Sequence, residues 1–354
     1  MDNSSQSRAI ESQIEFLVSK SMNTQALELF QISLLSNLLD EEVVTKITKN
    51  FIQKRLFYIS VIALRIASQK YKSLEIYTLL SVALKSIGRV DEALKVVNAA
   101  FEFGSTPALF RSLADIFVSR GEIQKATKAL RKGIQAHIND PKLYSDLSLV
   151  YIKNSDTNQA IKTLEDGIKI TNSLLLWIEL GNLFYTLSNY KNAELIYQRA
   201  LEIEPSSTQA LVNLGVIKKE LQKYDEAEKL YKKALDINPK DAAARNNIGV
   251  LYKTTKNFNS AVKNLREAIK INPNHADAYS NIGATLKETN KPKWALKYYK
   301  KALSLKPNHI NGNLDLGIIL MSLGNYEDGL KHYEARLRMK ELASKQIGLK
   351  RGYD

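Results

Sequence analysis

Five glycines, Gly181, Gly215, Gly249, Gly283 and Gly317, stand 34 residues apart. Pro205, Pro239, Pro273 and Pro307 keep the same interval, as do Ala193, Ala227, Ala261 and Ala295. Ala200, Ala234, Ala268 and Ala302 form a further series, and Tyr197, Tyr231, Leu265, Tyr299 and Tyr333 another. Self-similarity at one fixed period marks an array of identical supersecondary units. The 354 residues are therefore read as an array and not as two or three globular domains.

One unit, Thr208–Asp241, shows what repeats. Leu211, Leu214 and Gly215 are spaced i, i+3, i+4, as on one face of a helix. A polar break at Gln222-Lys223-Tyr224-Asp225 follows. Ala227, Leu230, Tyr231, Ala234 and Leu235 then form a second stripe, with Asp225 placed to accept from the free N–H groups at its start. Pro239 ends it, because proline disfavours helix at the residue before it. The unit is a helix–turn–helix hairpin. Gly215 and Ala227 fall where the two helices approach, with Leu214 and Tyr231 filling the space around them. One hairpin cannot bury its stripe alone, so it stacks on the next.

The run Trp177-x2-Leu180-Gly181-x2-Phe184, followed by Ala193, Tyr197, Ala200 and Pro205, resembles the tetratricopeptide repeat. The resemblance implies an all-α fold, a right-handed superhelical solenoid of about ten hairpins with the first helix of each lining the concave face. Carried along the chain, the frame predicts seven regular units over 74–309 and two degenerate hairpins over 7–73. In the degenerate hairpins Leu17, Ala26 and Phe30 fit one unit and Phe51, Ser60, Leu64 and Ala67 the other. A modified capping unit is expected at 310–343 and a basic tail at 344–354. The polar start, 1–6, is expected to be disordered.

The chain has no cysteine, which excludes disulfides, thiolate metal sites and a cysteine nucleophile. Met1 to Ser21 lacks a basic start followed by an apolar run, so no secretory signal is read. No stretch reaches the roughly 18 apolar residues that span a bilayer. A cytoplasmic location and no membrane partner are expected. The net charge of +14 is uneven. Residues 1–173 carry 22 Lys and Arg against 18 Asp and Glu, whereas 174–354 carry 29 against 19. An excess of this kind favours acidic partners, or simply keeps helices solvated.

No phosphate loop, HExxH or GxSxG occurs, so no enzyme activity, cofactor or metal is expected. His275 and His309 both follow Pro-Asn, one repeat apart, which the period alone explains. Trp177 takes the aromatic core position of its repeat, and Trp294 is expected to be partly exposed. The candidate groove residues are Asn213, Asn247 and Asn281, with Asp315 continuing the row. An amide both donates and accepts, so such a row can hold the backbone of an extended peptide. The row resembles the asparagine ladder of O-linked N-acetylglucosamine transferase-like proteins. Alternatively the asparagines only trim the helix surface. Lys219, Lys253 and Lys287 form a second row six residues further on, about 120° around each helix. Either they are a solvated edge, or their stems reach the groove rim and suit an acidic or phosphorylated peptide. Where chaperone-binding members of the family carry a carboxylate clamp, this chain has Ile178, Val212, Ala243 and Asn247, so a clamp is not expected. Nucleic acid is not expected either, because most tyrosines fall on core positions.

In the last unit Gly329 and Arg336 replace the repeat's alanines. That fits a polar capping repeat. It also resembles the closing repeat of bacterial tetratricopeptide proteins that continue into a glycosyltransferase. The expected function is a non-catalytic scaffold holding a protein or peptide in the concave groove. The second reading is the substrate-recognition arm of a glycosyltransferase whose catalytic domain is absent from this chain.

Overall fold

The structure is a computed structural model and describes residues 3–334. Among them it is all-α, with twenty helices and no strand. The chain divides at Thr171 and Asn172 into two units. The first holds five hairpins: α1 (Asn3–Ser19) with α2 (Asn23–Leu35), α3 (Glu41–Gln53) with α4 (Phe57–Lys70), α5 (Leu74–Ser86) with α6 (Val90–Ala100), α7 (Pro107–Ser119) with α8 (Ile123–Ala136), and α9 (Pro141–Lys153) with α10 (Thr157–Thr171). The second holds α11 (Leu174–Thr186) with α12 (Tyr190–Ile203), α13 (Thr208–Glu220) with α14 (Tyr224–Ile237), α15 (Ala242–Thr254) with α16 (Phe258–Ile271), α17 (Ala276–Glu288) with α18 (Pro292–Leu305), and α19 (Ile310–Ser322) with α20 (Tyr326–Tyr333). Within the second unit, the first helices of neighbouring hairpins also meet one another, while the second helices stand further apart.

The polar start is helical from Asn3, not disordered as its composition suggested. The reason is an apolar anchor: Ile14 is buried, and Leu17 and Val18 pack on the core that includes Phe30 and Phe51. The degenerate hairpins keep their core residues, with Ala26, Phe30, Phe51, Leu64 and Ala67 all buried. Arg336 and the basic tail lie outside the described residues.

The glycines need space for a side chain, and less for a backbone. A Cβ on Gly181 would stand 2.6 Å from Tyr197 Cε1, and one on Gly215 would stand 2.5 Å from Tyr231 Cε1. At Gly249 the obstacle is Leu265 Cγ, again at 2.5 Å. Each second helix thus lays its large residue across the glycine of the first, which is why the two series share a period. Gly317 differs. Its Cβ would meet backbone, Gly329 O and Tyr333 N, both at 2.7 Å. Glycine on both α19 and α20 lets these helices close on each other directly.

The helix ends show what periodicity hid. α14 starts at Tyr224 with Lys223 at its N-cap, so Asp225 is a first-turn acid and caps nothing. Its carboxylate still favours the positive end of the helix dipole. Side-chain caps lie elsewhere: between hairpins Asp241 accepts from the N–H groups of Ala243 and Ala244, and Ser207 from that of Ala210, while inside hairpins Asn189 accepts from Asn192 N and Asn257 from Ser260 N. His275 and His309 are caps too. Their Nδ1 atoms accept from Ala278 N and Gly312 N, leaving Nε2 to carry the proton. Within the hairpins, Ser188, Gln222, Lys256 and Asn290 all take φ between +55° and +60°. In that conformation Lys223 N reaches back to Lys218 O at 2.8 Å and closes α13.

Candidate functional site

The first-helix face of the second unit carries the expected row. Asn213, Asn247, Asn281 and Asp315 sit at one register on α13, α15, α17 and α19, all half-buried. Glu179 on α11 holds the same register. The row is not a set of free amides. Asn213 Nδ2 donates to Asn182 Oδ1 at 3.0 Å, and Tyr197 OH donates to the same oxygen at 2.7 Å. Asn281 Nδ2 donates to Asn246 Oδ1 at 2.9 Å. Asp315 accepts from Tyr299 OH at 3.1 Å and from Lys287. Asn213, Asn281 and Asp315 therefore bind one hairpin to the next, while the Asn247 side chain bonds to no described residue.

Burial pushes the hydroxyls of Tyr197, Tyr231 and Tyr299 far above the ordinary phenol range, and the Asp315 carboxylate adds to the rise at Tyr299. All three stay neutral donors. Of the three, Tyr231 has no acceptor among the described residues, although its oxygen is buried. Asp315 follows its tyrosine by sixteen residues, and Asn247 follows Tyr231 by the same interval. An unbonded hydroxyl and an unbonded amide thus occupy equivalent places in the middle of the row.

The lysine row is not a free cationic edge. Lys287 reaches across to Asp315 of the next hairpin, Lys219 pairs with Glu220 at 2.8 Å, and Lys253 lies 3.8 Å from Glu288. Only Lys287 meets a member of the row; Lys219 and Lys253 meet carboxylates outside it.

A second set of residues on this face went unread in the sequence. Val216, Val250, Ala284 and Ile318 follow the row by three residues, at the same 34-residue interval, and none is fully buried. The period itself was the signal that could have found them. Together with the amides they line the face with alternating polar and apolar rows. A cavity of about 360 Å³ opens there between Lys253, Ser280, Asn281, Ala284, Leu314 and Asp315. The first unit has a larger cavity, about 470 Å³, on the first-helix side of α5, α7 and α9. Val82, Val118 and Leu149 supply apolar lining, and the Arg111–Asp146 ion pair (2.6 Å) crosses it.

Among the described residues no group of three or more His, Asp or Glu could hold a metal, and no helix is long and apolar enough to cross a membrane. Trp177 is half-buried and donates to Asn172 Oδ1 at 3.2 Å, whereas Trp294 is 58% exposed.

This geometry has relatives. Tetratricopeptide-repeat family models match residues 175–207, 206–274 and 276–309, so the hairpins from α11 to α18 are tetratricopeptide repeats. The chain is 27% identical over 145 residues to a TPR repeat-containing protein of Methanocaldococcus jannaschii. That match covers 38% of this chain and 26% of the relative, so the chain spans about a quarter of the relative's length. In three dimensions it is similar to a tetratricopeptide repeat protein from Parabacteroides merdae, with a TM-score of 0.56, 18% identity, and coverage of 69% of this chain and 98% of that one. It is also similar to the APC/C hetero-tetramer Cut9-Hcn1, with a TM-score of 0.51, 18% identity, and coverage of 75% of this chain and 52% of that one. These likenesses define the class of fold, an all-α tetratricopeptide-type solenoid. Proteins built of these repeats are generally protein-interaction scaffolds.

Proposed function

We propose that this chain is a non-catalytic scaffold that holds an extended segment of a protein partner along the first-helix face of α13, α15, α17 and α19. The observation that carries the reading is the pair of parallel rows, amide and apolar, three residues apart on each first helix. An extended peptide presents backbone polar groups and side chains in alternation, so amides can take the first and the valines the second. The carboxylates beside Lys219, Lys253 and Lys287 argue against a strongly acidic or phosphorylated segment in this groove, because most of the cationic attraction is already spent internally. The glycosyltransferase-arm reading gains nothing from Gly329, whose place is explained by its close approach to Met321 and Gly317.

Asn247 is the discriminating residue, since its side chain bonds to no described residue. A binding peptide would first be selected from a displayed random library against the full chain, and its affinity then measured by calorimetry. Asn247→Ala should weaken it by about 2- to 10-fold, the worth of one hydrogen bond, with unchanged helicity. Unchanged affinity in both Asn247→Ala and Val250→Asp would sink the groove reading.

A further inference from the structure

The positive charge of the second unit is concentrated away from the groove. Lys229, Lys263 and Lys297 recur at the 34-residue period on α14, α16 and α18, and all three are exposed. Lys232, Arg266 and Lys300 form a second exposed row three residues further on. Equivalent repeat positions lie on equivalent faces, so both rows mark one side of the hairpins, the second-helix side. Lys270, Lys293 and Lys301 add to it, all exposed. Lys232 is held by Glu228 at 2.6 Å. Lys263, Arg266, Lys270, Lys293, Lys297, Lys300 and Lys301 form no ion pair with any described residue. α18 contains no acidic residue at all, and α16 contains only Glu267. The groove lysines are neutralised by carboxylates, and these are not.

Trp294 lies in the same patch, next to Lys293 and three residues before Lys297. The opposite face of α18 is buried through Ala295, Tyr299 and Ala302, so the indole stands among the exposed ammonium groups.

We propose that the second-helix face of α16 and α18 is a docking surface for anionic lipid headgroups, with the lysines held by surface charge and Trp294 seated at the headgroup level. Lysines are compact hydrated point charges on flexible stems, suited to a diffuse layer of charge, whereas a patch that reads base edges bidentately draws on the arginine fork. Only one of the seven unpaired cations is an arginine. Single-stranded nucleic acid also wants a groove with successive stacking platforms, and this patch has one exposed tryptophan on a ridge. A tryptophan beside a cluster of about four to eight lysines is the combination that anionic bilayers attract. Such attachment needs no spanning helix.

The test uses the full chain and lipid vesicles, either phosphatidylcholine alone or phosphatidylcholine mixed with phosphatidylserine. Sedimentation should show binding to the mixed vesicles only, weakening as salt is raised. Each lost cation near the surface is worth about five-fold in affinity, so Lys297→Gln, Lys300→Gln and Lys301→Gln together should cost about 100-fold. In a Trp177→Phe background, the emission of Trp294 should move to the blue on binding. The groove variant Asn247→Ala should bind vesicles as the parent does, which separates this surface from the peptide site. The proposal is overturned by absence of binding to the mixed vesicles at low salt, or by equal binding to both kinds. It is also overturned by a triple variant that keeps both helicity and affinity, or by a fluorescent oligonucleotide that displaces the protein from vesicles at equal salt.

Discussion

Replacing Tyr231 by phenylalanine separates two kinds of buried hydroxyl that share one repeat position. Tyr197, Tyr231 and Tyr299 are all buried, and each lies across the glycine of its first helix. A phenylalanine ring keeps that packing and removes one oxygen. At Tyr231 no hydrogen bond is lost, because the hydroxyl has no partner among the described residues. Folding no longer confines an unsolvated hydroxyl, a relief of about 1–3 kcal/mol. At Tyr299 the variant deprives Asp315 of a hydrogen bond, and a bond to a charged group is worth about 1.5–3 kcal/mol. Lys287 continues to hold Asp315, so the net loss should be about 1–2 kcal/mol. The two substitutions should therefore move stability in opposite directions, some 3 kcal/mol apart on the order of magnitude. Tyr197→Phe should fall between them, since Asn182 still accepts from Asn213.

Repeat arrays open piecewise, so a global unfolding midpoint would blur the comparison. Native-state hydrogen exchange of the amides in α13–α15 and α17–α19 reads each neighbourhood separately. Protection should rise around α14 in Tyr231→Phe and fall around α18 in Tyr299→Phe. A loss of about 1 kcal/mol or more in Tyr231→Phe would refute the reasoning. It would mean that the hydroxyl is satisfied in solution, by a rotated Asn247 amide or by water.

Two further outcomes follow from close contacts within the second unit. Gly317→Ala should cost about 2–3 kcal/mol because its Cβ meets backbone, whereas Gly283→Ala, which meets only the edge of the Tyr299 ring, should cost less than about 1.5 kcal/mol after its gain in helix propensity; thermal unfolding of the two variants checks the order, and the reverse order would show that the α19–α20 approach is soft. Lys218 is almost wholly buried; burial works against its charge, but Glu194 at 2.6 Å and Glu226 outweigh it and raise the ammonium above its usual range. The bond from Lys218 in turn holds the Glu226 carboxyl below the usual glutamate range. The Glu226 contribution is thus complete above the ordinary glutamate pKa and lost as pH falls through the depressed value. The Lys218 contribution is complete below the ordinary lysine pKa and lost as pH rises through the raised one. The melting temperatures of the parent and Glu226→Gln should accordingly differ at neutral pH and converge in acid, and an offset independent of pH would contradict the pairing.

The sequence displayed the period, the hairpin and the core, because each is a matter of spacing along one chain. Gly215 and Tyr231 could be assigned to one contact from their series alone. It did not display partners that lie one repeat away. Lys287 falls about 120° around its helix from Asn281, which suggested separate faces. The relevant neighbour was Asp315 on the following helix, and a lysine stem spans that gap easily. Nor could spacing show that Gln222 and Lys256 adopt a left-handed conformation, since neither residue type advertises it. The helical start at Asn3 was hidden because the first residues are polar, while the anchors of α1, Ile10, Ile14, Leu17 and Val18, lie further along it.

A period turns any residue placed once per repeat into a row, and each row's chemistry is then decided by what faces it. Asn213 and Asn281 face polar groups of the preceding hairpin and become cross-links, whereas Asn247 finds none among the described residues. The lysines of the first helices pair with carboxylates, while those of α16 and α18 form no ion pair with a described residue and keep their field. Where the register drifts, rows break into local sites. In the first unit the ladder register reads Leu79, Ser112 and Asp146, and the register three residues on reads Val82, Asp115 and Leu149. No row of amides can form there. Instead Leu149 stands 56% exposed at the wall of a cavity crossed by an ion pair. The regular unit therefore presents repeated rows, whereas the irregular one presents separate local hollows, this one and others between α1, α3 and α5.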